Sequence, residues 1–246
     1  MKTAFRAVFF DLGKTLLYPI NPWQSVLLRS TRALTDSLIS HDIDINLKTF
    51  PYEFIDRLNN YYADREETMR ETTTLKMLRD LLAEKGFRDI PPHILRSTLD
   101  AKYAITQSNW ALEADAISTL EALKNIDYKL AIISNAADDP DVQTLVDTHN
   151  LRQYFSFIRS SAASGYRKPH PYMFKEALSF LNLSPMQCVM VGDTLNADIK
   201  GANKLGIYSI WINRHVNKDT KTLIDIRPKS VIQTLEELPN LLRDIS

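Results

Sequence analysis

The chain has 246 residues, enough for one large α/β domain or for a core domain with an insert. Its 30 basic residues match its 30 acidic ones, so no overall field draws it to nucleic acid or to an anionic membrane. No stretch approaches the ~20 uninterrupted apolar residues of a membrane-spanning helix.

In chain order, residues 5–10 (FRAVFF) read as a buried strand that ends on a lone acid, Asp11. That acid interrupts the apolar run too early for a signal peptide, so a cytoplasmic location is expected. Pro19 and Pro22 then open a helical block over residues 18–110. Its patterns are VLLRSTRALTDSLI, EFIDRLNNYYADREE and TTTLKMLRDLLAEKG, the last with Leu75, Leu78 and Leu82 on one face. Tyr18, Trp23 and Trp110 stand near the ends of this block. After it, DAISTLEALKN is a helix with Asp115 as a candidate cap and Ile117, Leu120 and Leu123 recurring at helical spacing. A strand over 129–133 (KLAII) leads into Ser134 and Asn135, and a strand over 155–159 (FSFIR) leads into SSAASGYRKPHP with Lys168. The helix PYMFKEALSFLNL carries a stripe of Phe174, Leu178 and Leu181. A strand over 187–191 (QCVMV) opens into GDTLNAD, which holds Asp193 and Asp198. The single cysteine, Cys188, lies in this last run, which predicts a buried, inert thiol in a reducing compartment. The helix ADIKGANKLG turns Ile199 and Ala202 inward and ends at Gly206, and a strand follows over 207–211 (IYSIW). Beyond Asn213 the tail is polar and closes with the predicted helix VIQTLEELPNLLRDI.

Strands alternating with helices give a parallel sheet covered on both faces. The expected fold class is therefore α/β. A Rossmann-like parallel sheet core spans 1–17 and 111–246, with an inserted α-helical domain over 18–110.

Ligands of such sheets sit beyond the carboxyl ends of the strands. Asp11, Ser134, Asn135, Lys168, Asp193 and Asp198 all fall there. Carboxylate oxygens suit a hard divalent cation such as Mg²⁺. A lysine and hydrogen-bond donors suit the equatorial oxygens of a phosphoryl group. The five histidines, His41, His93, His149, His170 and His215, show no metal-ligand spacing.

Four stretches carry a family resemblance: FFDLGKTL, IISNA, GYRKPHPYMF and VMVGDTLNADIKGANKLGI, each at the end of its own strand. In this order they resemble the four motifs of the haloacid dehalogenase-like (HAD) hydrolases, and the block over 18–110 is similar to that family's helical C1 cap. The resemblance implies that Asp11 is the nucleophile of a phosphohydrolase acting through an aspartyl-phosphate. It implies Mg²⁺ held by Asp11, Asp193 and the backbone carbonyl of Gly13. Ser134, Asn135 and Lys168 would bind the transferring phosphoryl group, Asp198 would orient Lys168 or a metal-bound water, and Thr15 would support the loop. The implied partner is a small phosphorylated metabolite, with no role for nucleic acid or membrane; the substrate and the oligomeric state stay open.

The departure is Gly13. The family's phosphatases usually place there a second aspartate that protonates the leaving alcohol, and its loss removes ~10²–10⁴ in rate, about 3 to 5 kcal/mol of barrier. This favours good leaving groups such as acyl phosphates, aryl phosphates and anhydrides, or a proton route through water or a cap residue. Lys14 reads first as a solvent-facing lysine and second as a candidate to place charge near the leaving oxygen. The departure also keeps two alternatives open. One is a dehalogenase or phosphonatase, the latter needing a Schiff-base lysine, with Lys48, Lys76 and Lys85 available. The other is a non-catalytic relative that binds phosphate or a protein.

Overall fold

The computed structural model describes residues 5–215 and 225–245. The chain forms two compact units, Met1–Tyr18 with Leu112–Ser246, and Pro19–Ala111. The strands are β1 (Ala7–Phe10), β2 (Leu17–Pro19), β3 (Trp110–Leu112), β4 (Lys129–Ser134), β5 (Phe157–Ser160), β6 (Cys188–Gly192), β7 (Tyr208–Ile212) and β8 (Ser230–Ile232). The helices are α1 (Trp23–Ser40), α2 (Phe50–Thr68), α3 (Thr74–Glu84), α4 (Pro92–Gln107), α5 (Ala116–Asn125), α6 (Asp139–Thr148), α7 (Ser161–Ser164), α8 (Pro171–Leu181), α9 (Lys200–Leu205) and α10 (Leu238–Ile245).

The first unit is built on a six-stranded sheet in the order β5-β4-β1-β6-β7-β8, every neighbouring pair parallel. β1 is central because it is buried on both faces: all four of its residues, Ala-Val-Phe-Phe, are apolar and buried. Ala7 and Phe9 face one layer, with Ala131, Ile133, Cys188 and Met190 beside them and Met173, Phe174, Ala177, Leu178 and Leu181 of α8 packed on top. The stripe read from the α8 sequence is thus the stripe that covers the sheet. Cys188 lies in this layer, and burial pushes its thiol up to about 12, which leaves it unreactive. From β1 the chain builds outward to β4 and β5 on one side, then to β6, β7 and β8 on the other. The reversal at β1 opens a crevice at the carboxyl edge between β4, β1 and β6.

The second unit is helical. Leu34 and Leu38 of α1, Phe50 and Phe54 of α2, Leu78 and Leu82 of α3, and Leu95 and Leu99 of α4 are all buried. Thr73 caps α3 by accepting the Lys76 amide at 3.1 Å. Leu75, expected on the inner face, is half-buried, and Met77 and Leu81 complete that face instead. The side chain of Asn109 joins the ends of the unit, accepting from the Asn21 amide at 2.9 Å and donating to its carbonyl at 3.2 Å. None of the described helices is long and apolar enough to cross a membrane.

Three expectations need correction. The strand expected over 155–159 begins at Phe157, because Phe155 and Ser156 lead out of a short 3₁₀ turn over Arg152–Tyr154. The start of the predicted C-terminal helix is a strand: Ser230–Ile232 joins β7 as the last strand of the sheet, and helix α10 begins only at Leu238. Asp115 precedes α5 without capping it. Its carboxylate instead accepts Arg214 Nη1 at 3.0 Å and the Leu235 amide at 2.8 Å.

That last contact belongs to a knot that fixes the chain where it re-enters the sheet unit. Arg214 also donates to Glu113 at 2.5 Å and to the Gln233 carbonyl at 3.1 Å, and His215 contacts the same Glu113. Burial raises the Asp115 carboxyl, but Arg214 and the Leu235 amide outweigh it and hold it below its ordinary value. A carboxylate depressed by folding contributes stability above its unfolded pKa, and that contribution fades as pH falls through the folded value. Arg214→Met removes the cation shared by Glu113 and Asp115, leaving the Glu113 carboxylate only its His215 contact among the described residues. Because 21% of the Arg214 side chain is exposed, the loss at pH 7 should be about 2 kcal/mol, below the fully buried range. Denaturant melts at pH 7 and pH 3 check this: the gap between variant and wild type should shrink at pH 3, and an equal gap at both would contradict it.

Candidate active site

β1 delivers Asp11 to the carboxyl edge, and the ladder continues one step further through the Asp11 amide, which donates to the Val191 carbonyl at 3.0 Å. This fixes the backbone of Asp11 to β6, one residue before Gly192. Only 12% of the Asp11 side chain is exposed.

Lys168 reaches the same point from the loop after β5. Its ammonium lies 2.7 Å from Asp11 Oδ1, 2.7 Å from Asp198 Oδ1 and 2.6 Å from the Ile133 carbonyl. An ammonium has three protons, and here three oxygens surround it. Burial opposes the charge, but the two carboxylates outweigh it and raise the Lys168 pKa, so the lysine stays protonated. The loop is held by Asn135, whose Oδ1 accepts the Lys168 amide at 2.8 Å and whose Nδ2 donates to the Lys168 carbonyl at 3.0 Å. The Asn135 amide is thus engaged with the main chain of Lys168, while Ser134, the buried end of β4, stands one residue before it. The bond from Lys168 to Pro169 is cis.

β6 delivers the remaining acids. Gly192 ends the strand, Asp193 follows, and a single π-helical turn over Leu195–Ile199 carries Asp198 back over the strand end. Asp198 Oδ2 accepts the Thr194 amide at 3.0 Å, so its two oxygens are turned to Thr194 and Lys168. The return is tight. A Cβ at Gly192 would stand 2.7 Å from the Asp198 Cβ and closer still to its carboxyl group, so only glycine admits this aspartate. Trp211 of β7 pins the other acid by donating its indole N–H to the Asp193 carbonyl at 2.8 Å. Neither Trp211 nor the steric role of Gly192 follows from the sequence. A tryptophan near a strand end reads as core, and a close approach shows only in coordinates.

Asp11, Asp193 and Asp198 each offer an oxygen, and these atoms lie within 4.8 Å of one another. Three carboxyl groups around one ammonium leave an excess of negative charge. Burial and the neighbouring Asp11 push the Asp193 carboxyl up to about 6, against the pull of the Thr194 hydroxyl and of Lys14 and Lys168. Burial likewise pushes Asp198 up to about 7, against the pull of Lys168. The donors are all hard oxygens, and a divalent cation would relieve the crowding that raises Asp193, so the residues fit Mg²⁺.

The nucleophile-loop sequence, Asp11-Leu12-Gly13-Lys14-Thr15, distributes its backbone unexpectedly. Gly13 keeps clear of the left-handed region, whereas Lys14 lies in it at φ 60°. Thr15 is fully buried, and the Lys14 amide closes the loop on the Leu17 carbonyl at 2.5 Å. Of the lysines considered for a Schiff base, Lys76 is ion-paired with Asp80 at 2.7 Å, Lys85 pairs with Glu53, and Lys48 is exposed.

The family model of haloacid dehalogenase-like hydrolases matches residues 5–206. The chain belongs to that family. A haloacid dehalogenase-like hydrolase domain-containing protein 3 of Xenopus laevis is 34% identical over 133 residues, which cover 54% of this chain and 53% of that protein. The chain thus spans about half the length of that relative. A glyceraldehyde 3-phosphate phosphatase of Pyrococcus furiosus is 31% identical over 239 residues, covering 96% of this chain and 91% of the relative. Among solved structures, a 2-haloacid dehalogenase from Pseudomonas syringae pv. Tomato superposes with a TM-score of 0.70 at 24% identity, over 98% of this chain and all of the other. A HAD phosphatase from Thermococcus onnurineus does so with a TM-score of 0.62 at 21% identity, over 97% and 98%. These two likenesses establish the fold. As an HAD-like fold, the sheet places the four sequence motifs around one crevice.

The close approach at Gly192 makes a direct test. Gly192→Ala must displace Asp198 or the strand end, and overpacking of this kind costs about 1 to 3 kcal/mol. The variant should melt several degrees below wild type; an unchanged melting temperature would show that Asp198 does not sit against Gly192.

Proposed function

We propose that this HAD-like hydrolase is a Mg²⁺-dependent phosphohydrolase of a small phosphorylated metabolite, working through an aspartyl-phosphate on Asp11. The observation that carries the proposal is the buried Lys168 ammonium shared between Asp11 and Asp198, next to Asp193. A lysine in that position orients the Asp11 carboxylate and neutralises the charge that an approaching phosphoryl group would otherwise meet.

In this reading Asp11 and Asp193, with the Gly13 carbonyl, hold the metal, because both oxygens of Asp198 are already turned to protein donors. Bound there, Mg²⁺ supplies positive charge to the phosphoryl oxygens and to the nucleophile. The chain's own residues do the rest. Asp11 attacks phosphorus, Lys168 stabilises the anionic oxygens, and Ser134 donates to them from the end of β4. Asp198 acts on Lys168, keeping it charged and aimed. Asn135 is a positioning residue, since its amide clamps the main chain of Lys168 rather than facing an anion. In the same reading the helical unit over Pro19–Ala111 corresponds to the helical cap that the family resemblance implies. The phosphatase named in Pyrococcus furiosus, similar along nearly the whole chain, supports a small phosphorylated substrate.

Turnover of p-nitrophenyl phosphate and acetyl phosphate with Mg²⁺ tests the reading, with Asp11→Asn as the blank. Wild type should exceed that blank by at least ~10³. A wild type no faster than Asp11→Asn would remove Asp11 as nucleophile and leave the non-catalytic alternative.

A further inference from the structure

The loop after Asp11 puts its conformational strain on the wrong residue for a purely structural turn. Position 14 is left-handed, where glycine is free of cost and a side chain with a Cβ is not. Yet lysine stands at 14, a position whose backbone would favour glycine. A residue held in a sparsely populated backbone region within a site is a pointer to function.

Placement says what that function is. Lys168 approaches Asp11 from the buried side and is itself 3% exposed. A phosphoryl group must therefore approach Asp11 from the solvent side. In-line displacement then puts the leaving oxygen opposite Asp11, further out toward solvent. Lys14 is an exposed cation of the nucleophile loop, three residues from Asp11. A flexible four-carbon stem lets its ammonium meet a group on that side.

We propose that Lys14 is a catalytic residue that stabilises the negative charge developing on the leaving oxygen, in the place left without an acid by Gly13. This deepens the phosphohydrolase reading and rests on it. In the step, the bond from Asp11 oxygen to phosphorus forms while the bond from phosphorus to the leaving oxygen breaks. The electron pair of the broken bond stays on that oxygen, which departs as an anion facing the Lys14 ammonium. Lys14 keeps its protons throughout, and the anion takes its proton from solvent after release. Water then attacks phosphorus, returning the Asp11 carboxylate, inorganic phosphate and one proton to solvent. The substrate class follows: phosphate esters whose leaving group is stable as an anion, with phenolates and enolates favoured over simple alkoxides.

The test is kcat/KM across a series of substituted phenyl phosphates, plus acetyl phosphate, for wild type, Lys14→Met, Lys14→Gly and Lys14→Arg, with melting temperatures alongside. Lys14→Met and Lys14→Gly should lose ~10–10² on phenyl phosphate but only a few-fold on acetyl phosphate, steepening the dependence on leaving-group pKa. Lys14→Arg should keep the wild-type slope, and Lys14→Gly should melt at or above wild type. A slope shared by all four proteins, whether rates fall uniformly or not at all, overturns the role of Lys14 while wild-type turnover keeps the phosphohydrolase reading. Wild type no faster than Asp11→Asn overturns both.

Discussion

A single buried ammonium organises the site. Lys168 is 3% exposed, and it is tolerable there only because Asp11 and the Ile133 carbonyl accept from its ammonium and Asp198 Oδ1 lies 2.7 Å away as a second counter-charge. The arrangement is reciprocal. Without Lys168, two carboxylates would be buried side by side; without either carboxylate, the lysine would hold an unbalanced charge. The geometry of Asp11 is thereby set before any substrate arrives, which is what preorganised electrostatic catalysis requires.

Much of the surrounding structure serves that pairing. The parallel register of β1 with β4 and β6 brings residues 11, 134 and 193 to one edge. Asn135 clamps the backbone of Lys168, and the π-helical turn returns Asp198 onto it. Gly192 makes room for that return, and Trp211 anchors the neighbouring Asp193. The remaining surplus of negative charge, visible in the raised Asp193 carboxyl, is what a divalent cation is suited to offset.

The strands that position the site were legible because each is a short, fully apolar run ending on a polar residue, a pattern that only a doubly covered parallel strand explains. The acids and the lysine were legible from their places after those runs, and the helical block from its 3.6-residue stripe. β8 was not, since Ser230-Val231-Ile232 is three residues long, Val231 is exposed, and the stretch runs into a helix with no break in its pattern. β2 and β3, also three residues each, gave no periodicity to read. Asp115 was read as a cap because capping is the local option; the partners that win it, Arg214 and the Leu235 amide, are distant in sequence. The same limit hid the steric role of Gly192 and the clamp made by Asn135. Gly13 was visible as a missing acid, but the left-handed backbone of the lysine beside it was not.

The central claim is that Asp11, Lys168, Asp193 and Asp198 form one phosphoryl-transfer centre around a metal. The most direct measurement is a crystal structure with Mg²⁺ and beryllium fluoride, a mimic of the aspartyl-phosphate. The account predicts the fluoride adduct on the Asp11 carboxylate, with Lys168 against its fluorines and the cation between Asp11 and Asp193. An Asp11 left unmodified, or a cation bound away from Asp193, would contradict it.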